Sequence, residues 1–200
     1  MTRCLVTDRR RLCPGARSFA DARRGLVEQA RRAAAEGIDL IQVRERDLEA
    51  ADLAALVADV VAITRGSATR VLVNDRIDVA LACGADGVHL RADSVPVAEA
   101  RRLLPAPRLV GRSVHSVREA VAAAGADYLI AGTVFPSASK RTGSAELLGI
   151  EGLRAIVDAT AVPVLAIGGI TPDRIDSVLA AGAAGIAAIG LFIDSLKTAS

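Results

Sequence analysis

The stretch that decides the fold is VPVLAIGGITPDRI, residues 162–175. Its aliphatic core, 164–167, has the length and β-branched character of a buried parallel strand. Gly168 and Gly169 then interrupt the run. Thr171 followed by Pro172 reads as a helix start, a capping hydroxyl and then a residue whose fixed φ suits the first helical position. A buried strand that passes through a glycine turn into a helix is one βα unit. Backbone N–H groups at such a turn can cradle a phosphate.

Working outward, the same unit recurs along the chain. Short aliphatic runs at 3–7, 39–43, 70–73, 87–90, 109–112, 128–131, 164–167 and 185–188 read as strands. Between them, 20–36, 50–64, 77–82, 97–103, 117–124, 150–158, 172–180 and 191–197 read as helices. A weak internal repeat supports the count. Gly84-Ala85-Asp86-Gly87, Gly125-Ala126-Asp127-Tyr128 and Gly182-Ala183-Ala184-Gly185 each close a helix and lead into a strand. Eight such units in one domain, 1–200, predict an α/β fold, a single (β/α)₈ TIM barrel. The rival, a doubly wound open sheet, normally has fewer strands and a glycine-rich first turn, whereas the first strand here runs into TDRRR.

Composition narrows the function classes. Hydrophobic residues make up 52% and aromatics 2% of the chain, so Ala, Val, Leu and Ile must fill the core. A net charge of +2 gives no field that argues for nucleic acid or a membrane surface as partner. The pairs Arg23-Arg24, Arg31-Arg32 and Arg101-Arg102 read as solvated helix faces. Cys4, Cys13 and Cys83 show no C-x-x-C spacing, so neither a disulfide framework nor a zinc site is expected. No secretory leader or membrane-spanning run is read, and a cytoplasmic protein is the expectation. The oligomeric state stays open, a homo-oligomer included.

In a barrel, the residues at the carboxyl ends of the strands touch the ligand. Those ends deliver Asp8, then Gln42, Arg44 and Arg46, then Asn74 and Asp75, then His89, Ser113 and His115, then Thr133, Gly168 and Gly169, and finally Ile189 and Gly190. Gln42, Arg44 and Arg46 alternate, so on a continuing strand they face one side and can grip a phosphate or carboxylate. Asp75 can hold magnesium or cap the next helix. Gly168 and Gly169 with Ile189 and Gly190 form the expected phosphate cradle after the seventh and eighth strands. The long stretch GTVFPSASKRTGSAE, 132–146, carries Ser137, Ser139 and Lys140 and reads as a lid. Of the two histidines, His115 is the expected proton-transfer group and His89 the structural one.

Five segments, QVRERD (42–47), VNDRIDVALACGADGVHL (73–90), GRSVHS (111–116), ADYLIAGTVFPSASK (126–140) and VPVLAIGGITPDRI, together resemble the thiamine phosphate synthase family and its relatives the thiazole tautomerases. The resemblance covers nearly the whole chain. It implies, for the synthases, magnesium and the joining of a pyrimidine diphosphate to a thiazole phosphate with loss of pyrophosphate. Those enzymes usually have Lys where Arg46 stands and a metal-binding Asp where Ser94 stands, beside Asp93. A neutral hydroxyl is a poor magnesium ligand.

These departures make a thiazole tautomerase the first expectation. It would act on a thiazole phosphate carboxylate with no cofactor, His115 moving the proton and Arg44 or Arg46 facing the carboxylate. Gln42, Asn74, Ser113, Thr133, Ser137, Ser139, Lys140, Gly168, Gly169, Ile189 and Gly190 would bind the substrate. The alternative is thiamine phosphate synthase, with Mg²⁺ on Asp75 and either Asp93 or Ser94. A non-catalytic protein that binds the thiazole phosphate is the third reading.

Overall fold

In the computed structural model, which describes residues 1–136 and 147–193, eight parallel strands close into a barrel in sequence order. The strands are β1 (Thr2–Val6), β2 (Leu40–Val43), β3 (Arg70–Asn74), β4 (Gly87–Leu90), β5 (Leu109–Val114), β6 (Tyr128–Gly132), β7 (Val164–Ile167) and β8 (Gly185–Ala188). The helices are α1 (Arg9–Leu12), α2 (Phe19–Ala35), α3 (Ala50–Thr64), α4 (Ile77–Ala82), α5 (Val97–Leu103), α6 (Val117–Ala122), α7 (Gly149–Asp158) and α8 (Ile175–Ala180). The ring closes where Thr2 of β1 pairs with Gly185 of β8. The (β/α)₈ expectation therefore holds. The short α1 was not expected, and the start of the helix read at 172–180 is a 3-10 turn, Pro172–Arg174. No helix among the described residues is long and apolar enough to cross a membrane.

Strand alternation sorts the side chains into two cores. Leu5, Ile41, Val71, Val88, Leu129 and Val164 point outward and pack under Leu26, Leu56, Val57, Leu153 and Ile156 of the helices. Cys4, Val6, Leu40, Leu72, Tyr128, Ile130, Leu165 and Ala187 point inward and fill the axis. Ser18 and Ser116 cap α2 and α6, accepting from the N–H groups of Asp21 and Glu119 at 3.2 Å each.

The amino-terminal end of the barrel is stitched by aspartates, which gives the internal repeat a physical meaning. Asp39, Asp86 and Asp127 each stand just before a strand and accept the backbone N–H of the preceding one, from Arg3 at 2.8 Å, Val71 at 2.8 Å and Val110 at 2.6 Å. Arg70 bridges to Asp86 and Arg101 to Asp127. Polar residues at this end therefore hold neighbouring strands in register, and those at the other end remain available for a ligand.

Candidate active site

The carboxyl ends of the strands surround a cavity of about 1080 Å³. Its geometry begins with the segment Arg44-Glu45-Arg46. Glu45 is buried and points away from the cavity, toward α1, where it accepts from the Thr7 hydroxyl at 2.8 Å and from Arg9 Nη1 at 2.9 Å. Arg9 in turn grips Asp47 through two bonds of 2.6 Å. The Thr7 hydroxyl also accepts from the N–H of Arg44 at 2.9 Å. With Glu45 pinned outward, alternation turns Arg44 and Arg46 inward, and both line the cavity.

Arg44 is partly buried and has no ion-pair partner among the described residues. Burial, and then the like charge of Arg46 and of Arg91, push its guanidinium below its ordinary pKa. A desolvated cation surrounded by other cations is a binding position for an anion. Arg11, Arg91 and Arg174 also line the cavity, where the only described carboxylates are those of Asp8 and Asp93.

Below the arginines lies a polar ring. Gln42 Nε2 donates to Asn74 Oδ1 at 3.0 Å, which leaves the amide of Asn74 and the carbonyl of Gln42 for the cavity. His89 is 2% exposed and forms the centre of a chain, with Nδ1 3.0 Å from the Tyr128 hydroxyl and Nε2 2.8 Å from Ser113 Oγ. Burial, with the positive charges of Arg44 and Arg112, pushes the His89 pKa down to about 3, so the ring is neutral. All three groups are satisfied when Tyr128 donates to Nδ1 and Nε2–H donates to Ser113. The Ser113 hydroxyl proton then remains for the cavity, making Ser113 a directed donor.

Across the axis, the turns after β7 and β8 reach the cavity wall. Gly168, Gly169, Ile189 and Gly190 all line the cavity, next to Thr133. Gly168 has φ +103, and a Cβ there would meet Thr133 Cγ2 at 2.4 Å, so only glycine keeps this backbone open. Arg174 donates to the Gly169 carbonyl at 2.8 Å and stacks over Phe135, 4.8 Å from the ring centroid, which braces the turn.

Other expected residues are placed unevenly. His115 lines the cavity, its side chain 49% exposed, with its N–H and Nδ1 directed at Glu119 at 2.7 and 3.3 Å. Neither Asp75 nor Ser94 lines the cavity. Ser137, Ser139 and Lys140, with most of the expected lid, lie outside the described residues. Arg11, Arg91 and Arg174 were missed among the site residues, as was Tyr128 as a partner of His89, which is itself buried as the structural reading had it. The signal available was a lone tyrosine facing a barrel interior, where its hydroxyl needs a partner.

The residues do not fit a divalent cation as they stand. No group of three or more His, Cys, Asp or Glu side chains is placed to hold one among the described residues. Asp75 and Asp93 are each paired with the same guanidinium, that of Arg91.

A closed parallel barrel with a basic, polar cavity at the carboxyl ends of its strands defines an enzyme-type (β/α)₈ scaffold. The chain belongs to the thiamine monophosphate synthase family, whose model matches residues 12–192. It is 47% identical over 172 residues to the thiamine-phosphate synthase of Methanoregula boonei, covering 85% of this chain and 79% of that protein. It is 45% identical over 169 residues to that of Methanoculleus marisnigri, covering 84% of this chain and 80% of the relative. A solved thiamine phosphate pyrophosphorylase from Pyrococcus furiosus superposes with a TM-score of 0.78 at 38% identity, over 94% of this chain and 85% of that one.

These relatives correct the expectation of a thiazole tautomerase, an isomerase: they carry the synthase name. Arg46 and Ser94 do not move the chain out of synthase company at this level of identity. The expected proton carrier is an exposed residue beside Glu119, whereas the imidazole held deep in the site is that of His89.

Proposed function

We propose that this chain is a thiamine phosphate synthase, a transferase that joins hydroxymethylpyrimidine diphosphate to a thiazole phosphate and releases pyrophosphate. The observation that carries it is the pairing, in one cavity, of an arginine cluster from β2 and β4 with a glycine cradle from β7 and β8. In the ring of eight, β4 stands opposite β8 while β2 is two strands from β8, so a diphosphate on the arginines and a phosphate on the glycines would share one cavity and could bring their organic ends together.

The thiazole nitrogen forms the new C–N bond with its lone pair. The C–O bond of the pyrimidine diphosphate breaks, and its electron pair leaves with pyrophosphate. No redox change occurs and no proton has to move, so His115 has none to carry. Arg44 and Arg46 hold the leaving group and meet the charge that develops on it. Gln42, Asn74 and the directed donor Ser113 fix the pyrimidine side. The N–H groups around Gly168, Gly169, Ile189 and Gly190, with Thr133, hold the thiazole phosphate. Positioning two substrates for an in-line displacement is itself a large part of such catalysis. The carboxylates present do not fit magnesium, and the charge on the leaving group falls to the arginines. The partners are small phosphorylated molecules, and three free thiols suit a reducing cytoplasm.

The test is incubation with both substrates and measurement of the two products. Thiamine phosphate and pyrophosphate in equal amounts are expected. Binding of the thiazole phosphate with neither product would overturn the transferase and leave the binding-protein reading.

A further inference from the structure

We propose that the guanidinium of Arg91 takes the place of a divalent cation in this site, so that the diphosphate group is held directly on arginine. The inference rests on the transferase reading and concerns how its leaving group is bound.

Arg91 follows β4 immediately, three residues before Ser94, where the family resemblance implies a metal-binding Asp. Its Nη1 lies 3.7 Å from Asp75 Oδ2, its Nη2 is bonded to Asp93, and its backbone N–H approaches Asp75 Oδ1 at 3.5 Å. Asp75 is held in turn by its own N–H, which donates to the His89 carbonyl at 2.9 Å. The two carboxylates nearest an expected metal position are thus occupied by one side chain of this chain. Arg91 lines the cavity together with Asp93, while Asp75 and Ser94 do not, so a ligand meets the guanidinium and one of its two carboxylate partners.

Charge complementarity points the same way. Five arginines and two aspartates line the described cavity wall, an excess of three positive charges facing the place proposed for a trianionic or tetraanionic group. A guanidinium presents two parallel N–H donors to adjacent phosphate oxygens, which an ammonium or a water cannot do. A divalent cation between Asp75 and Asp93 would have to displace Arg91 or sit against its charge. The serine at 94, where a carboxylate would help a metal compete, leaves the arginine without a rival.

The experiment titrates inorganic pyrophosphate into the full chain by calorimetry, once in EDTA and once in excess Mg²⁺. The wild type is expected to bind in EDTA with a Kd within about threefold of that in Mg²⁺. Arg91→Gly should weaken the EDTA affinity by roughly tenfold or more. Arg91→Gly combined with Ser94→Asp should regain affinity only when Mg²⁺ is present. Arg91→Gln, which keeps most of the side chain's bulk, reads the same loss should the glycine variant be unstable. Binding by the wild type that needs Mg²⁺, or an EDTA affinity unchanged by removing Arg91, overturns the inference. A purely structural Asp75–Arg91 pair would move the melting temperature and not the pyrophosphate affinity, and that result also overturns it. Thiamine phosphate formation is assayed separately: its absence would sink the reaction, while the pyrophosphate titration would still decide the role of Arg91.

Discussion

A Cβ on Gly111 would stand 2.1 Å from Cζ of Tyr128, its partner in the ladder of the adjacent strand. The ring of the chain's one tyrosine can enter the barrel axis only because β5 carries no side chain at that height. Gly111→Ala should therefore destabilise the fold by about 1–3 kcal/mol through overpacking. Tyr128→Phe keeps the ring and removes only the hydroxyl, and should lose about 1 kcal/mol. Urea denaturation measures both, and an unchanged midpoint for Gly111→Ala would contradict the confinement of the ring.

His89 gives a pH dependence whose sign follows from its lowered pKa. The folded protein holds the ring neutral down to about 3, whereas the unfolded chain takes up the proton near 6.5. The unfolded state binds more protons in between, so stability falls as pH drops through that window. Between pH 6.5 and 5, above most carboxylate titrations, the loss should be about 1.5 kcal/mol. His89→Gln should flatten this part of the profile. Nitrogen-15 NMR at pH 5 should show a neutral ring protonated at Nε2, and a doubly protonated ring would contradict the chain through Tyr128 and Ser113.

The arginine cluster predicts a graded response. Arg44→Gln removes a half-buried cation that nothing else in the site replaces, and kcat/KM for the pyrimidine diphosphate should fall by roughly 10²-fold or more. Arg46 is exposed and stands where related synthases usually have lysine, so Arg46→Lys should stay within about threefold of wild type. Steady-state kinetics with the diphosphate varied would separate the two. Equal effects would show that the wall does not act by depth of burial.

The glycine cradle predicts a contrast between its two halves. At Gly168 an added Cβ meets Thr133 at 2.4 Å on a backbone at φ +103, so Gly168→Ala must deform the turn. KM for the thiazole phosphate should rise roughly tenfold or more, with a smaller change in kcat. At Gly190 the same Cβ meets only the end of the Arg11 side chain, 3.0 Å away, which can swing aside. Gly190→Ala should change KM by less than about threefold.

The residues legible in the sequence were those set by periodicity and turn chemistry. Each strand was recognised from its aliphatic run, and the cradle from two glycines followed by Thr171 and Pro172. Arg44 and Arg46 were legible because they alternate with Glu45. What could not be read depends on contacts between distant segments. The hydrogen-bond partners of His89 are Tyr128 and Ser113, which lie 39 and 24 residues away. The occupation of Asp75 by Arg91 depends on how two strand ends meet. Position alone does not separate the two histidines, since both line the cavity, His89 buried and His115 exposed beside Glu119. The departures at Arg46 and Ser94 are single substitutions, and reading them as a change of reaction gave them more weight than the surrounding identity supports.

The pairing of β8 with β1 joins residues from opposite ends of the described chain, Thr2 with Gly185 and Leu5 with Ala188. A nascent polypeptide that lacks the last strand must carry two open ladder edges, from β1 and from β7, each a template for association with another molecule. Ring closure is the most distant contact in sequence, and such contacts form slowly. Synthesis of this protein therefore has a vulnerable interval that ends only when residues 185–188 arrive, and truncated forms should aggregate rather than persist as smaller soluble barrels.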